Sequence, residues 1–184
     1  MKKLSIFLQH ISNWKTLGLA FLIDMSFNVY FLKNAENKIN ALSGNTNGVI
    51  DLTFGFNPQK TLDLVAAYTP EARNFYAWTE LTTDIIYPIV YAFFFGILLT
   101  LLFRNKPYAP YSLVNVLPFV SLIFDYLENF SIVALLKSYP AQSYTIAWIC
   151  EAVKMIKWIS IGLAMVFILY GLIRRVMTKL YTPA

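Results

Sequence analysis

The sequence predicts an all-α integral membrane protein: a four-helix bundle with a small extracytoplasmic cap and an N-terminal interfacial helix. Three observations lead there. Of 184 residues, 58% are hydrophobic and 14% charged, against roughly 45–50% and 25% in an average soluble domain. Four apolar stretches are each long enough to cross a bilayer core of about 30 Å. The few polar residues inside those stretches recur at helical spacing. A soluble enzyme, a nucleic-acid-binding module and a disordered chain are disfavoured by the same composition. A single cysteine, Cys150, rules out an intrachain disulfide, and a single histidine, His10, rules out His-rich metal sites.

The whole chain, 1–184, reads as one membrane domain. Residues 1–15 place Leu4, Phe7, Leu8, Ile11 and Trp14 at helical spacing among lysines and polar residues. That pattern predicts a short amphipathic helix on the membrane surface; a signal peptide is the rival reading of Met1-Lys2-Lys3. The four spans are 16–32, 80–103, 111–136 and 145–173. Between the first two lies an outer cap, 33–79. Residues 43–48 are turn-forming, and Val49–Phe56 reads as a short extended segment. Asn57-Pro58 and Thr69-Pro70 each pair an N-cap with proline at the first helical position, which predicts two helices. The second of these is expected to run through Arg73, Tyr76 and Trp78 into the second span, with Tyr76 and Trp78 at headgroup level.

Charge gives the orientation. Segments 1–15, 104–110 and 174–184 carry Lys and Arg and no acid, while 33–79 and 137–144 taken together mix a few basic residues with Glu36, Asp51, Asp63 and Glu71. The positive-inside rule then places both termini in the cytoplasm.

Ionisable groups within spans are costly and usually functional. Here they crowd the outer half: Asp24 and Asn28 in the first span, Asp84 and Tyr87 in the second, Asp125, Glu128 and Asn129 in the third, and Glu151, Lys154 and Lys157 in the fourth. Glu80, Asp84, Tyr87 and Tyr91 share one face, as do Ser121, Asp125, Glu128 and Asn129, and such faces point inward. Equal depth on antiparallel helices suggests the pairs Glu128–Lys154 and Asp125–Lys157, with Lys157 somewhat off the main face. Pro88 lacks an N–H and so frees the carbonyl of Asp84; Pro118 is expected to do the same for Val114. Five acids (Asp24, Asp84, Asp125, Glu128, Glu151) against two lysines leave three surplus carboxylates. Protons, water or a cation must resolve that surplus. A cation would draw on Asp24, Asp84, Glu128 and Asn129, but the lysines argue against a dedicated cage, and no metal or cofactor is expected. Protonation, foremost of Asp125, is the favoured resolution.

The runs FGFNPQKTLDLVAAYTPEARNFYAWTELTTDIIYPIVYAFFF and LPFVSLIFDYLENFSIVALL carry Asp-x-x-x-Pro and Asp-x-Leu-Glu-Asn motifs. Over about residues 50–160 the chain resembles a family of small bacterial four-span membrane proteins. That resemblance implies the same layout and names no substrate. In layout only, the chain is similar to the EXPERA group, helical bundles with acids in a membrane cavity. Three functional readings follow. The first is a cavity in the outer leaflet that binds or handles a small amphipathic or lipid-like ligand through Asp24, Asn28, Asp84, Tyr87, Asn129, Glu151, Lys154 and Lys157. The second is a cofactor-free lipid-modifying enzyme with Asp125 and Glu128 as acid and base. The third is a structural or partner-binding subunit. Membrane lipid is the expected partner, nucleic acid is not, and the oligomeric state is left open.

Overall fold

A computed structural model describes residues 1–44, 48–104 and 111–181. Among these the chain is all helical, without strands. The helices are α1 (Lys2–Ile11), α2 (Trp14–Ser26), α3 (Lys33–Leu42), α4 (Pro58–Ala67), α5 (Pro70–Leu81), α6 (Thr83–Phe103), α7 (Leu117–Ser138) and α8 (Tyr144–Tyr181). A π-helical stretch, Phe27–Leu32, joins α2 to α3 without a break. Four helical stretches are long and apolar enough to cross a membrane: Trp14–Leu42, Pro70–Phe103, Leu113–Ser138 and Tyr144–Met177. The chain is therefore a membrane-type four-helix bundle. The turn expected within 43–48 and the basic segment 104–110 fall largely outside the described residues.

Helix boundaries follow from local chemistry. Asn13 separates α1 from α2 by a capping box, its side chain accepting from Lys15 and Thr16 while the Thr16 hydroxyl accepts from the Asn13 N–H. Asn57 and Thr69 cap α4 and α5 as expected, each followed by proline. The Arg73 guanidinium reaches back to close α4, donating to the carbonyls of Val65, at 3.1 Å, and Tyr68.

The structure departs from the sequence reading in five places. The segment expected to be extended, Val49–Phe56, contains a 3-10 turn at Ile50–Leu52. Gly48 and Gly55, with φ of 76° and 100°, bracket it in backbone open mainly to glycine. The first span does not end at residue 32 but continues as α3 into the cap. The α5 helix leads into the second span as expected, in one stretch Pro70–Phe103, but Thr82, at φ −122° and ψ −79°, breaks that stretch between α5 and α6. Pro118 does not interrupt a helix; it lies in the first turn of α7, where a missing N–H costs nothing, and a 3-10 stretch, Tyr111–Val116, precedes it. Tyr76 is buried rather than at headgroup level, and only Trp78 is exposed.

Packing divides the bundle into three layers. At the cap end, Ile39, Ile50, Leu62, Val65, Tyr76 and Ile132 are in one apolar cluster that joins cap to bundle. Toward the opposite end, Leu99, Phe103, Val114, Ala164 and Ile168 form a second. Between them lie the buried charged residues of α6, α7 and α8, met from the cap side by Glu80 of α5 and Asp51 of the 3-10 turn. The second cluster is tight: a Cβ on Gly96 would stand 3.1 Å from the Asn115 carbonyl, so glycine lets α6 and the 3-10 stretch touch. Helix α1 docks there through a narrow face. Leu8 is buried, the Ser5 hydroxyl donates to Asn115 at 2.9 Å, and Asn115 donates on to Thr100 at 3.0 Å. Arg104 fixes its end through the carbonyls of Gln9 and Ser12. Phe7 and Trp14, on the predicted apolar face, remain exposed.

Candidate functional site

The charged layer holds two clusters of different character. In the first, Glu151 and Lys154 lie one turn apart on α8 and bond to each other at 2.5 Å. The other partners of Glu151 come from the cap: the Asn57 N–H donates to Oε2 at 2.9 Å, and the Thr61 hydroxyl to Oε1 at 2.6 Å. Lys154 donates its remaining protons to Thr53 Oγ1 at 2.7 Å and the Ile50 carbonyl at 3.4 Å. An ammonium has three donors, and all three are used. This corrects the expected Glu128–Lys154 pair. Matching depths across two helices overlooked a partner on the same helix, three residues away, which is a near neighbour by geometry.

Lys157 takes the place left open. It pairs with Glu128 and stands 3.9 Å from Asp125 Oδ2. The Asp125–Lys157 contact was expected; Glu128 joins it. Tyr91 donates to the same Asp125 oxygen at 2.9 Å. Lys157 is thus a central, buried side chain, not one set off the main face.

The second cluster contains an acid the sequence did not single out. Asp51, from the 3-10 turn of the cap, meets Glu80 at the end of α5 and Asp84 at the start of α6. One carboxylate oxygen from each lies within 4.8 Å of the others. The break at Thr82 is what lets Glu80 and Asp84 converge with a third group. Tyr76 holds Asp51 in place, donating to Oδ1 at 2.6 Å while its oxygen accepts from the Ile50 N–H at 2.9 Å. Nearby, Tyr68 donates to the Gly48 carbonyl at 2.7 Å. Burial first, and the Asp51 and Glu80 carboxylates next, push its phenol above the ordinary range, which keeps it a neutral donor. The carbonyl of Asp84, freed by Pro88, accepts from the Asn129 side chain at 2.9 Å. Asn129 therefore completes the proline kink. The expected cation set of Asp24, Asp84, Glu128 and Asn129 is not the one the fold gathers; only Asp84 belongs to it.

Two adjacent cavities open on this layer. The larger, about 270 Å³, has Asp84, Asp125 and Lys157 at one end and Phe95, Ile161 and Met165 at the other, with Tyr87 and Tyr91 between. The smaller, about 160 Å³, is walled by Asp51, Glu80, Asp84 and Tyr76. Asn28, Leu32, Asp51, Leu52 and Asp84 line both. The π-helical stretch supplies Asn28 and Leu32. Asn28 accepts from Tyr87 at 3.1 Å and donates to the Asp24 carbonyl at 2.9 Å. Of the expected site residues, Asn28, Asp84, Tyr87, Asp125 and Lys157 line the larger cavity. Asp24, Glu128, Asn129, Glu151 and Lys154 line neither. Trp158 also faces the larger cavity, and its indole N–H is buried without a hydrogen-bond partner.

Compared with known proteins, the chain matches no family model, no curated protein and no solved structure.

Proposed function

We propose that this chain binds an amphiphile with a neutral, hydroxyl-bearing head, in a bacterial inner membrane that it crosses four times with both termini cytoplasmic. One observation carries the reading: a single cavity runs from a charged end at Asp84, Asp125 and Lys157 to an apolar end at Phe95, Ile161 and Met165. A ligand that fills both ends must itself have a polar and an apolar part. A hydroxyl suits the polar end because it both donates and accepts. It can donate to the carboxylates and accept from Trp158 Nε1, a donor without a hydrogen-bond partner among the described residues. An anionic head would meet Asp84 and Asp125 and pay for the repulsion. Topology is supported by the acid-free, basic composition of segments 1–15, 104–110 and 174–184.

Catalysis by acid and base is a second reading, and it takes a changed pair. Glu128 is fully buried behind Lys157, whereas Asp84 and Asp125 both line the void. Proton transfer to a bound ligand would fall to those two, with Asp51 the third acid on the same cavity.

The binding test uses a variant with Trp158 as the lone tryptophan, in nanodiscs. A bromine-labelled long-chain alcohol should quench its fluorescence saturably, and the matching alkyl sulfate should not. Ile161→Trp in the wild-type background fills the apolar end and should abolish competition by the unlabelled alcohol. Quenching that rises without saturation, or is equal for both probes, would show partition into lipid and sink the proposal. Orientation is checked by thiol labelling: Lys60→Cys should react from outside in intact cells and Lys3→Cys should not.

A further inference from the structure

The smaller cavity has a chemistry that an amphiphile does not use. Asp51, Glu80 and Asp84 bring three carboxylates together from three different elements. A second observation points to a ligand. Glu80 is only 2% exposed, lines the cavity, and its Oε2 has no hydrogen-bond partner. A buried acceptor left unmade is costly. Among the described residues none of the three acids forms an ion pair. The two buried lysines are committed elsewhere, Lys154 to Glu151 and Lys157 to Glu128 and Asp125. Lys33, which also lines the cavity, pairs with Glu36, so among the described residues no ion pair offsets this concentration of negative charge, which calls for a positive one from outside.

We propose that Asp51, Glu80 and Asp84 bind a hard divalent cation of the Ca²⁺, Mg²⁺ or Mn²⁺ class. The ligand atoms are all carboxylate oxygens, with no imidazole or thiolate in the cluster, so softer ions have no preferred ligand. Three carboxylates fill part of a coordination shell of about six to eight oxygens for Ca²⁺ or six for Mg²⁺, and water entering by the cavity supplies the rest. The Tyr76 bond to one Asp51 oxygen leaves the other carboxylate oxygen for the ion and fixes its direction. Because Asp51 belongs to the cap and Asp84 to a span, the ion ties the cap to the bundle.

The experiment is calorimetric titration of the full chain in nanodiscs, stripped with EDTA, with CaCl₂, MgCl₂ and MnCl₂ in turn and no amphiphile added. One saturable site is expected for at least one ion. Glu80→Gln and Asp51→Asn should each weaken it at least tenfold, while Asp63→Asn, an exposed acid on α4, should leave it unchanged. Thermal unfolding confirms that the variants are folded, and Asp51→Asn, on a surface turn, guards against loss of fold at Glu80. The proposal is overturned if no ion binds saturably at millimolar concentration, or if the folded variants bind as the wild type does. The metal is titrated alone, so this outcome is independent of whether an amphiphile occupies the larger cavity.

Discussion

Ile50 and Asp51 are neighbours in the chain, yet they serve opposite kinds of cluster. The Ile50 carbonyl accepts from Lys154, inside a group where Glu151 and Lys154 satisfy each other and every further bond goes to the cap. Asp51 turns toward Glu80 and Asp84, a group with no internal counter-charge. The first cluster is closed, and the second borders a cavity. The difference teaches how to read buried charge in a membrane bundle. A matched pair whose donors are all used holds parts of the fold together. A like-charged group beside a void, with an acceptor left over, is arranged for something that comes from outside.

The comparison breaks first, and most severely, at Glu151 and Lys154. Removing one partner leaves the other buried and uncompensated, a loss of roughly 3–5 kcal/mol. Lys154→Met should therefore unfold far more readily in detergent, and the Glu151→Gln/Lys154→Met double variant should lose less than the sum of the two singles. Additive losses in that cycle would mean the pair is not the closed unit described above.

A smaller effect is expected where the proline kink is completed. Asn129→Leu strands the Asp84 carbonyl, and a buried acceptor without a donor costs about 1–3 kcal/mol. The same change should weaken cation binding, because Asp84 shifts with its backbone; a fall in stability with unaltered metal affinity would separate the kink from the site. Smaller still are the caps and dockings at the periphery. Asn57→Ala removes the cap of α4 at about 1 kcal/mol, and Ser5→Ala removes one of the two bonds that seat Ser5 of α1 on Asn115, about 1 kcal/mol at most. Both are read by chemical or thermal unfolding, and neither should change binding of ion or amphiphile.

The parts of this architecture legible from sequence are those set by one-dimensional chemistry. Span length, the Asn-Pro and Thr-Pro helix starts, the carbonyl freed by Pro88 and the inward faces of α6 and α7 all follow from spacing along a single helix. Pairings between helices were half legible. Asp125 does meet Lys157, but Lys154 finds Glu151 on its own helix, a choice that depth cannot reveal. Asp51 left no signal beyond one acid in the run Val-Ile-Asp-Leu, and its role depends on two glycine turns that fold the cap back over the bundle. Glu80 was visible at the rim of a polar face, yet its convergence with Asp84 and Asp51 needed the break at Thr82, which helical periodicity does not announce. Tyr76 matched the pattern of an interfacial anchor and is instead the donor that positions Asp51.

The sharpest test of the contrast between the two clusters is the unfolding free energy of Glu80→Gln beside that of Glu151→Gln, measured in metal-free nanodiscs. Both replace a fully buried carboxylate with its neutral isostere. At Glu151 the change removes half of a satisfied ion pair, and a loss of about 3 kcal/mol or more is predicted. At Glu80 it relieves repulsion among three acids, so stability should stay level or rise. An equal loss at both positions would contradict the account, because Glu80 would then be a structural group like Glu151 and not one held ready for a ligand.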